Sequence, residues 1–300
     1  MVAFPVVDSH IHLIDPSRLA YRWLQNNSVL RRRHALLEYG QAQAGRAVAA
    51  IVAVEADADD ADKEILYLLE QAENDSRIGA IVAHLPLEQG ERLEETMASR
   101  ATTGRVKGLR RLLQDEPAPG FCLQPGFIEG VRLAGRFDLT VDLCIRQHQL
   151  QDLIKLVDAC PKTRFVLDHI AKPAIRDGAL EPWRREFRDL AARPNIVCKL
   201  SGVATEADPI HWTPEQLRPY IDHAWESFGA SRLLFGSDWP VCLMAVDWIA
   251  WVEILEAALA AFSDNEKRAF WGRNAIAAYK MDATLLETDE GDSLKTTMPG

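Results

Sequence analysis

The sequence predicts a single α/β domain, an eight-stranded (β/α)8 barrel of parallel strands with outer helices. Three observations carry that expectation. Eight short runs rich in Val, Ile and Ala recur along the 300 residues, as strands covered by helices on both faces should read. Stretches of helical period separate them, and eight β/α alternations favour closure over an open sheet. No G-x-G-x-x-G follows the first run, which lowers the dinucleotide-binding alternative.

The runs are 6–12, 47–54, 78–85, 106–112, 139–145, 164–169, 196–201 and 232–238. The second is nearly all Ala, Val and Ile. Between them, 62–74 places Ile65, Leu66, Leu68 and Leu69 on one side of a helix, and 149–159 does the same with Leu150, Leu153, Ile154 and Val157. Stretches 181–192 and 214–228 are amphipathic too, and Pro214 suits a first helical turn. The stretch 245–262 is the most apolar, but Asp247, Glu253 and Glu256 interrupt it, so it reads as an amphipathic helix rather than a membrane span. Ser263-Asp264-Asn265-Glu266 is a capping box opening a last helix through Ala278. One barrel domain is expected over 1–280. A polar tail follows over 281–300, with 287–300 expected to be disordered.

Composition narrows the function. Hydrophobic residues at 48% can support a large core, and the net charge of -10 argues against nucleic acid. The five cysteines, at 122, 144, 160, 198 and 242, have no C-x-x-C spacing. They fit reduced thiols of a cytoplasmic protein, and no secretory signal is evident at the N-terminus.

The chemistry gathers at the ends of the strands. Residues i and i+2 of a strand share a face, so Asp8, His10 and His12 should point together into the barrel, with Val7 and Ile11 outward. On the last strand, Leu234, Gly236 and Asp238 share a face, and Gly236 leaves room beside the carboxylate. An inward acid at a strand end needs partners, and histidines, a metal or a substrate would supply them. On the sixth strand, parity sets His169 with Phe165 and Leu167, and Asp168 on the other face. Lys199 shares a face with Val197 and Ser201, an uncommon place for a lysine. Parity with Val106 and Gly108 turns Arg110 inward, and Arg111 reads equally well as rim charge. Ser237 belongs to no G-x-S-x-G nucleophile elbow, and no P-loop is present.

With these residues in view, the chain resembles the amidohydrolase superfamily, in particular its sugar-lactone and pyrone-dicarboxylate lactonase branch. The strings VDSHIHLID, GLRRLLQDEP, FVLDHIAKP, VCKLSGVATEAD, LLFGSDWPVC and FWGRNAIAAY carry the resemblance to about Lys280. It implies a barrel enzyme that opens a lactone by water attack, with Asp238 as general base and His10, His12 and His169 beside it. Arg110, Lys172, Lys199, Glu206 and Trp239 would meet the substrate. A bridging lysine on the fourth strand, needed by two-metal relatives, is missing. The resemblance therefore implies no required cofactor, with a single zinc optional on His10, His12, His169 and Asp238. Relatives often read Leu-Arg-His where Leu109-Arg110-Arg111 stands. The expected partner is a small sugar lactone, with no nucleic acid or membrane, and a homo-oligomer is left open. The alternatives are a zinc-dependent amidohydrolase or decarboxylase of an aromatic or dicarboxylic acid, and a pyrone- or muconolactone-type lactonase.

Overall fold

The computed structural model describes residues 4–286; the expected disorder of 287–300 lies outside them. Eight strands alternate with helices: β1 (Val6–Ile11), α1 (Leu36–Ala42), β2 (Val48–Val54), α2 (Ala61–Asn74), β3 (Ile78–His84), α3 (Glu94–Thr102), β4 (Val106–Arg110) and α4 (Pro125–Arg136). The second half continues with β5 (Thr140–Leu143), α5 (Leu150–Ala159), β6 (Phe165–Leu167), α6 (Trp183–Ala191), β7 (Ile196–Leu200), α7 (Pro214–Phe228), β8 (Leu233–Phe235) and α8 (Trp248–Ala258). All neighbouring strands pair in parallel in the order β1 to β8. The sheet closes where β1 meets the segment after β8: Asp238 N–H donates to His10 O at 2.9 Å, and His12 N–H to Trp239 O at 2.7 Å.

Two apolar layers result. Outward residues such as Ile51, Ile81, Leu109, Phe165, Leu200 and Phe235 pack under the helices. A second cluster fills the barrel with Val7, Ala50, Val52, Val82, Val166 and Leu234.

The end of the chain differs from the expected single helix. The capping box forms, with Ser263 Oγ accepting from Glu266 N–H. The helix is then broken by a π-helical turn at Ala269–Arg273 between α9 (Asp264–Arg268) and α10 (Asn274–Tyr279). Ile276, Tyr279 and Met281 join the cluster inside the barrel. A side chain on Gly79, at the start of β3, would meet Met281 Sδ at 2.8 Å. The C-terminal segment thus covers the barrel at the N-terminal ends of the strands. Beyond Met281, Leu285 and Leu286 pack partly buried against the same cluster.

Side-chain direction departs from expectation in two strands. A register irregularity between Asp8 and Ile11 lets Val7 face the barrel interior and sends Asp8 outward. Asp8 accepts from Tyr39 Oη at 2.8 Å on α1, Trp248 Nε1 at 3.0 Å on α8, and Ser237 N–H at 2.8 Å. It clasps the barrel seam rather than joining the histidines. In β6 the inward residue is Val166, so Asp168 points in, opposite to expectation.

Candidate active site

Four side chains meet where β1, β6 and β8 end. Asp238 Oδ1 lies 3.7 Å from His10 Nε2, 3.5 Å from His12 Nε2 and 3.9 Å from His169 Nε2. His10 and His12 face each other through Nε2 at 3.2 Å. All four are buried, and Asp238 Oδ1 accepts no hydrogen bond. These are the positions the sequence singled out.

Each group is held from behind. His12 Nδ1 lies 3.0 Å from Val54 O, and His169 Nδ1 lies 2.8 Å from Ser201 Oγ. His169 reaches the centre through an unusual turn. It and the next three residues, Ile170, Ala171 and Lys172, all have φ between 45° and 63°. Left-handed backbone costs roughly 1–2 kcal/mol per non-glycine residue, so the rest of the fold must impose it. Trp183 Nε1 clamps the turn by donating to Ile170 O at 2.8 Å. Asp238 itself sits at φ 60°. Such outliers concentrate at functional sites.

Charges sort cleanly. Burial pushes His10 well below its ordinary value, with Lys199 adding to the effect. Burial pushes His169 down to about 4 against the pull of Asp238 and Asp168. Burial alone would raise Asp238, but His169, His12 and His10 together hold it below the usual carboxylate range. At neutral pH the centre sets an ionised carboxylate against the uncharged rings of His10 and His169.

A layer of ion pairs lies directly behind. Lys199 Nζ donates to Asp142 Oδ2 at 2.7 Å and lies 3.0 Å from Asp168 Oδ1 and 3.1 Å from His10 Nδ1. Arg110 donates to Glu55 Oε1 at 2.5 Å, to Glu55 O at 2.6 Å and to Asp168 Oδ2 at 3.2 Å. Tyr279 Oη donates to Asp142 Oδ2 at 2.5 Å. Asp168, Asp142, Glu55 and Tyr279 were missed in the sequence. Their signal was indirect: an inward lysine and arginine need buried acids to face them.

The remaining expected positions divide. Lys172 and Glu206 come together 3.8 Å apart beyond the strand ends, and Lys172 Nζ also donates to Gln114 Oε1 at 2.5 Å. Gln114 is a further rim residue that sequence reasoning passed over. Arg111 pairs with Glu88 and Glu116 and stays at the rim. Trp239 does not join the cluster: it is 1% exposed and packs on His34 and Tyr39 at ring distances of 5.5 and 5.2 Å. Arg110 is likewise committed to Glu55 and Asp168 rather than held free for a substrate.

The cluster suits one divalent ion. Ligands about 2.0–2.1 Å from a tetrahedral zinc are roughly 3.3 Å apart. The contacts above span 3.2 to 3.9 Å, and the unpartnered Asp238 oxygen would be satisfied. His10, His12 and Asp238, whose ligand atoms all lie within 4.8 Å of one another, would hold such an ion, with His169 Nε2 3.9 Å from the same carboxylate oxygen; His10, His169 and Asp168 form a second such group. No residue of β4 offers a bridging lysine for a second one, since Lys107 lies near its start and Arg110 at its end.

A parallel barrel with imidazoles and a carboxylate converging at the C-terminal strand ends is the architecture of a barrel hydrolase. Comparison with known proteins gives the family: the one described as Amidohydrolase matches residues 7–281, and the chain belongs to it. A curated L-fucono-1,5-lactonase of Burkholderia multivorans is 33% identical over 290 residues, 92% of this chain and 96% of that protein. Another L-fucono-1,5-lactonase, from Burkholderia ambifaria, is 35% identical over 222 residues, 72% of this chain and 75% of that one. A crystal structure of a Burkholderia multivorans amidohydrolase with bound Zn superposes with a TM-score of 0.85 at 32% identity, covering 93% of this chain and all of that one. Among the described residues, no helix is long and apolar enough to cross a membrane.

Proposed function

We propose that the protein hydrolyses the lactone of a sugar acid, an aldonolactone of the L-fucono- or L-rhamnono- kind. The observation that carries this reading is the buried, unpartnered Asp238 Oδ1 with three imidazole Nε2 atoms within 3.9 Å. The two L-fucono-1,5-lactonases, similar over most of the barrel, support the substrate class.

In the proposed reaction, Asp238 takes a proton from water as its oxygen bonds to the lactone carbonyl carbon. The carbonyl π-electrons move to oxygen, and an imidazole N–H donor steadies that oxyanion. As it collapses, the ring C–O bond breaks and Asp238 returns the proton to the departing alkoxide. The product is an open-chain hydroxy acid. Lys172 and Glu206, with Gln114, present donors and acceptors suited to sugar hydroxyls. A divalent ion on His10, His12, His169 and Asp238 would polarise the carbonyl and acidify bound water.

The test is a panel of five- and six-membered aldonolactones followed with a pH indicator, with and without a chelator. Acid release from at least one aldonolactone, well above its spontaneous rate, is expected. Inertness across the panel, with turnover of an aromatic acid or amide instead, would overturn the reading.

A further inference from the structure

Lys199 has no part in the water attack above, yet it touches the first imidazole of the centre. Its ammonium is fully buried and anchored by Asp142, which Tyr279 holds from the covered end of the barrel. Burial works against its charge, but Asp142 and Asp168 more than restore it.

His10 Nδ1 consequently faces two rivals. A histidine that binds metal through Nε2 carries its proton on Nδ1 and donates it to a carboxylate or carbonyl. Asp168 Oδ1 is 3.3 Å from Nδ1 and 3.0 Å from Lys199 Nζ. Lys199 offers the opposite: an ammonium 3.1 Å from Nδ1 that donates into it, which leaves the proton on Nε2.

His12 decides what each choice means. Its Nδ1 faces the Val54 carbonyl, which can only accept, so in the neutral ring the lone pair is on Nε2. Across 3.2 Å stands His10 Nε2. Two facing lone pairs repel. The contact is favourable either with a proton on His10 Nε2, donated to His12, or with a cation between the rings. Lys199 supports the first arrangement and Asp168 the second.

We propose that Lys199 is a built-in competitor of the divalent ion: it holds His10 in the Nε2–H form that lets the centre stand without metal, and so keeps metal affinity low. When an ion enters, His10 loses the Nε2 proton and gains one on Nδ1, with no net change in its protons. Nδ1–H then donates to Asp168, and the freed Lys199 N–H turns to the same carboxylate. The proposal concerns metal affinity and does not rest on the substrate class.

The test measures zinc affinity of the chelator-stripped full-length protein by competition with a chromophoric chelator. Lys199→Met combined with Asp142→Asn removes the ion pair as a unit and leaves Asp168 to Arg110 and His10. Zinc binding is expected to tighten by about tenfold or more, the size of effect known for groups behind a metal-binding histidine. Asp168→Asn is expected to weaken it by a similar factor. A lysine that merely supported the fold would lower the melting temperature of the double variant without tightening zinc. Unchanged or weaker binding there, or no zinc binding in either protein, would overturn the proposal. Nitrogen-15 NMR of the wild-type imidazoles needs no variant. The expected proton on His10 is at Nε2 in the metal-free protein and at Nδ1 with zinc; Nδ1–H in the metal-free protein contradicts the proposal.

Discussion

Arg110 is a cation that sequence parity turned inward, that the resemblance assigned to a substrate, and that the fold spends on its own acids. Its guanidinium is 3% exposed, with Glu55 on one side and Asp168 on the other. Removing one partner of a buried ion pair costs about 3–5 kcal/mol, because the others stay buried without it. Arg110→Met should lose stability of that order in urea unfolding; a change under about 1 kcal/mol would mean the network bears no load. The four central residues, His10, His12, His169 and Asp238, were legible because each ends an apolar run, where a polar group needs a reason. Asp142 was not. A single acid inside 139–145 has no pattern of its own, and only the inward Lys199 called for one.

At the scale of elements, the alternation of apolar runs located all eight strands, since burial on both faces writes itself into composition. Side-chain direction was less legible, because parity assumes an unbroken ladder. One irregularity in β1 turns Asp8 outward to Tyr39 and Trp248. In β6, Val166 rather than Phe165 faces inward. His169, with the wrong parity for a strand residue, arrives instead through the left-handed turn after β6. That turn leans on Gly202, at φ 59°, where a Cβ would come within 2.8 Å of His169 Nδ1. Gly202→Ala should therefore cost roughly 1–3 kcal/mol in stability and displace the imidazole. The check is thermal melting together with lactone turnover. A variant as stable and active as the parent would show that the turn does not position His169.

For the whole molecule, the buried imidazoles set a direction for acid stability. The unfolded chain protonates His169 near its ordinary 6.5, whereas the folded protein resists until about 4. Unfolding thus takes up a proton between those values, and stability falls as pH drops through that window. His169 alone accounts for on the order of 3 kcal/mol. His10, also lowered by burial, acts in the same sense. Asp238 and Asp168, held below the carboxylate range, withdraw further stability at still lower pH. Asp8 and Asp142 are raised by burial and oppose the trend, and Glu64, pushed up to about 8 by burial, opposes it across the same window. Between pH 7 and pH 4.5 the melting temperature of the chelator-treated parent should fall relative to that of a His169→Asn variant, and parallel profiles would contradict the neutral, buried state assigned to that ring.

β1 and the segment after β8 meet at one carboxylate, and that carboxylate carries the functional account. Asp238→Asn keeps the shape and removes the proposed acceptor of the water proton. Circular dichroism should show the fold retained, while aldonolactone opening falls by a factor of about 100 or more, as loss of a general base requires. A folded Asp238→Asn protein that opens the lactone at close to the parent rate would contradict the assignment of Asp238 as the base.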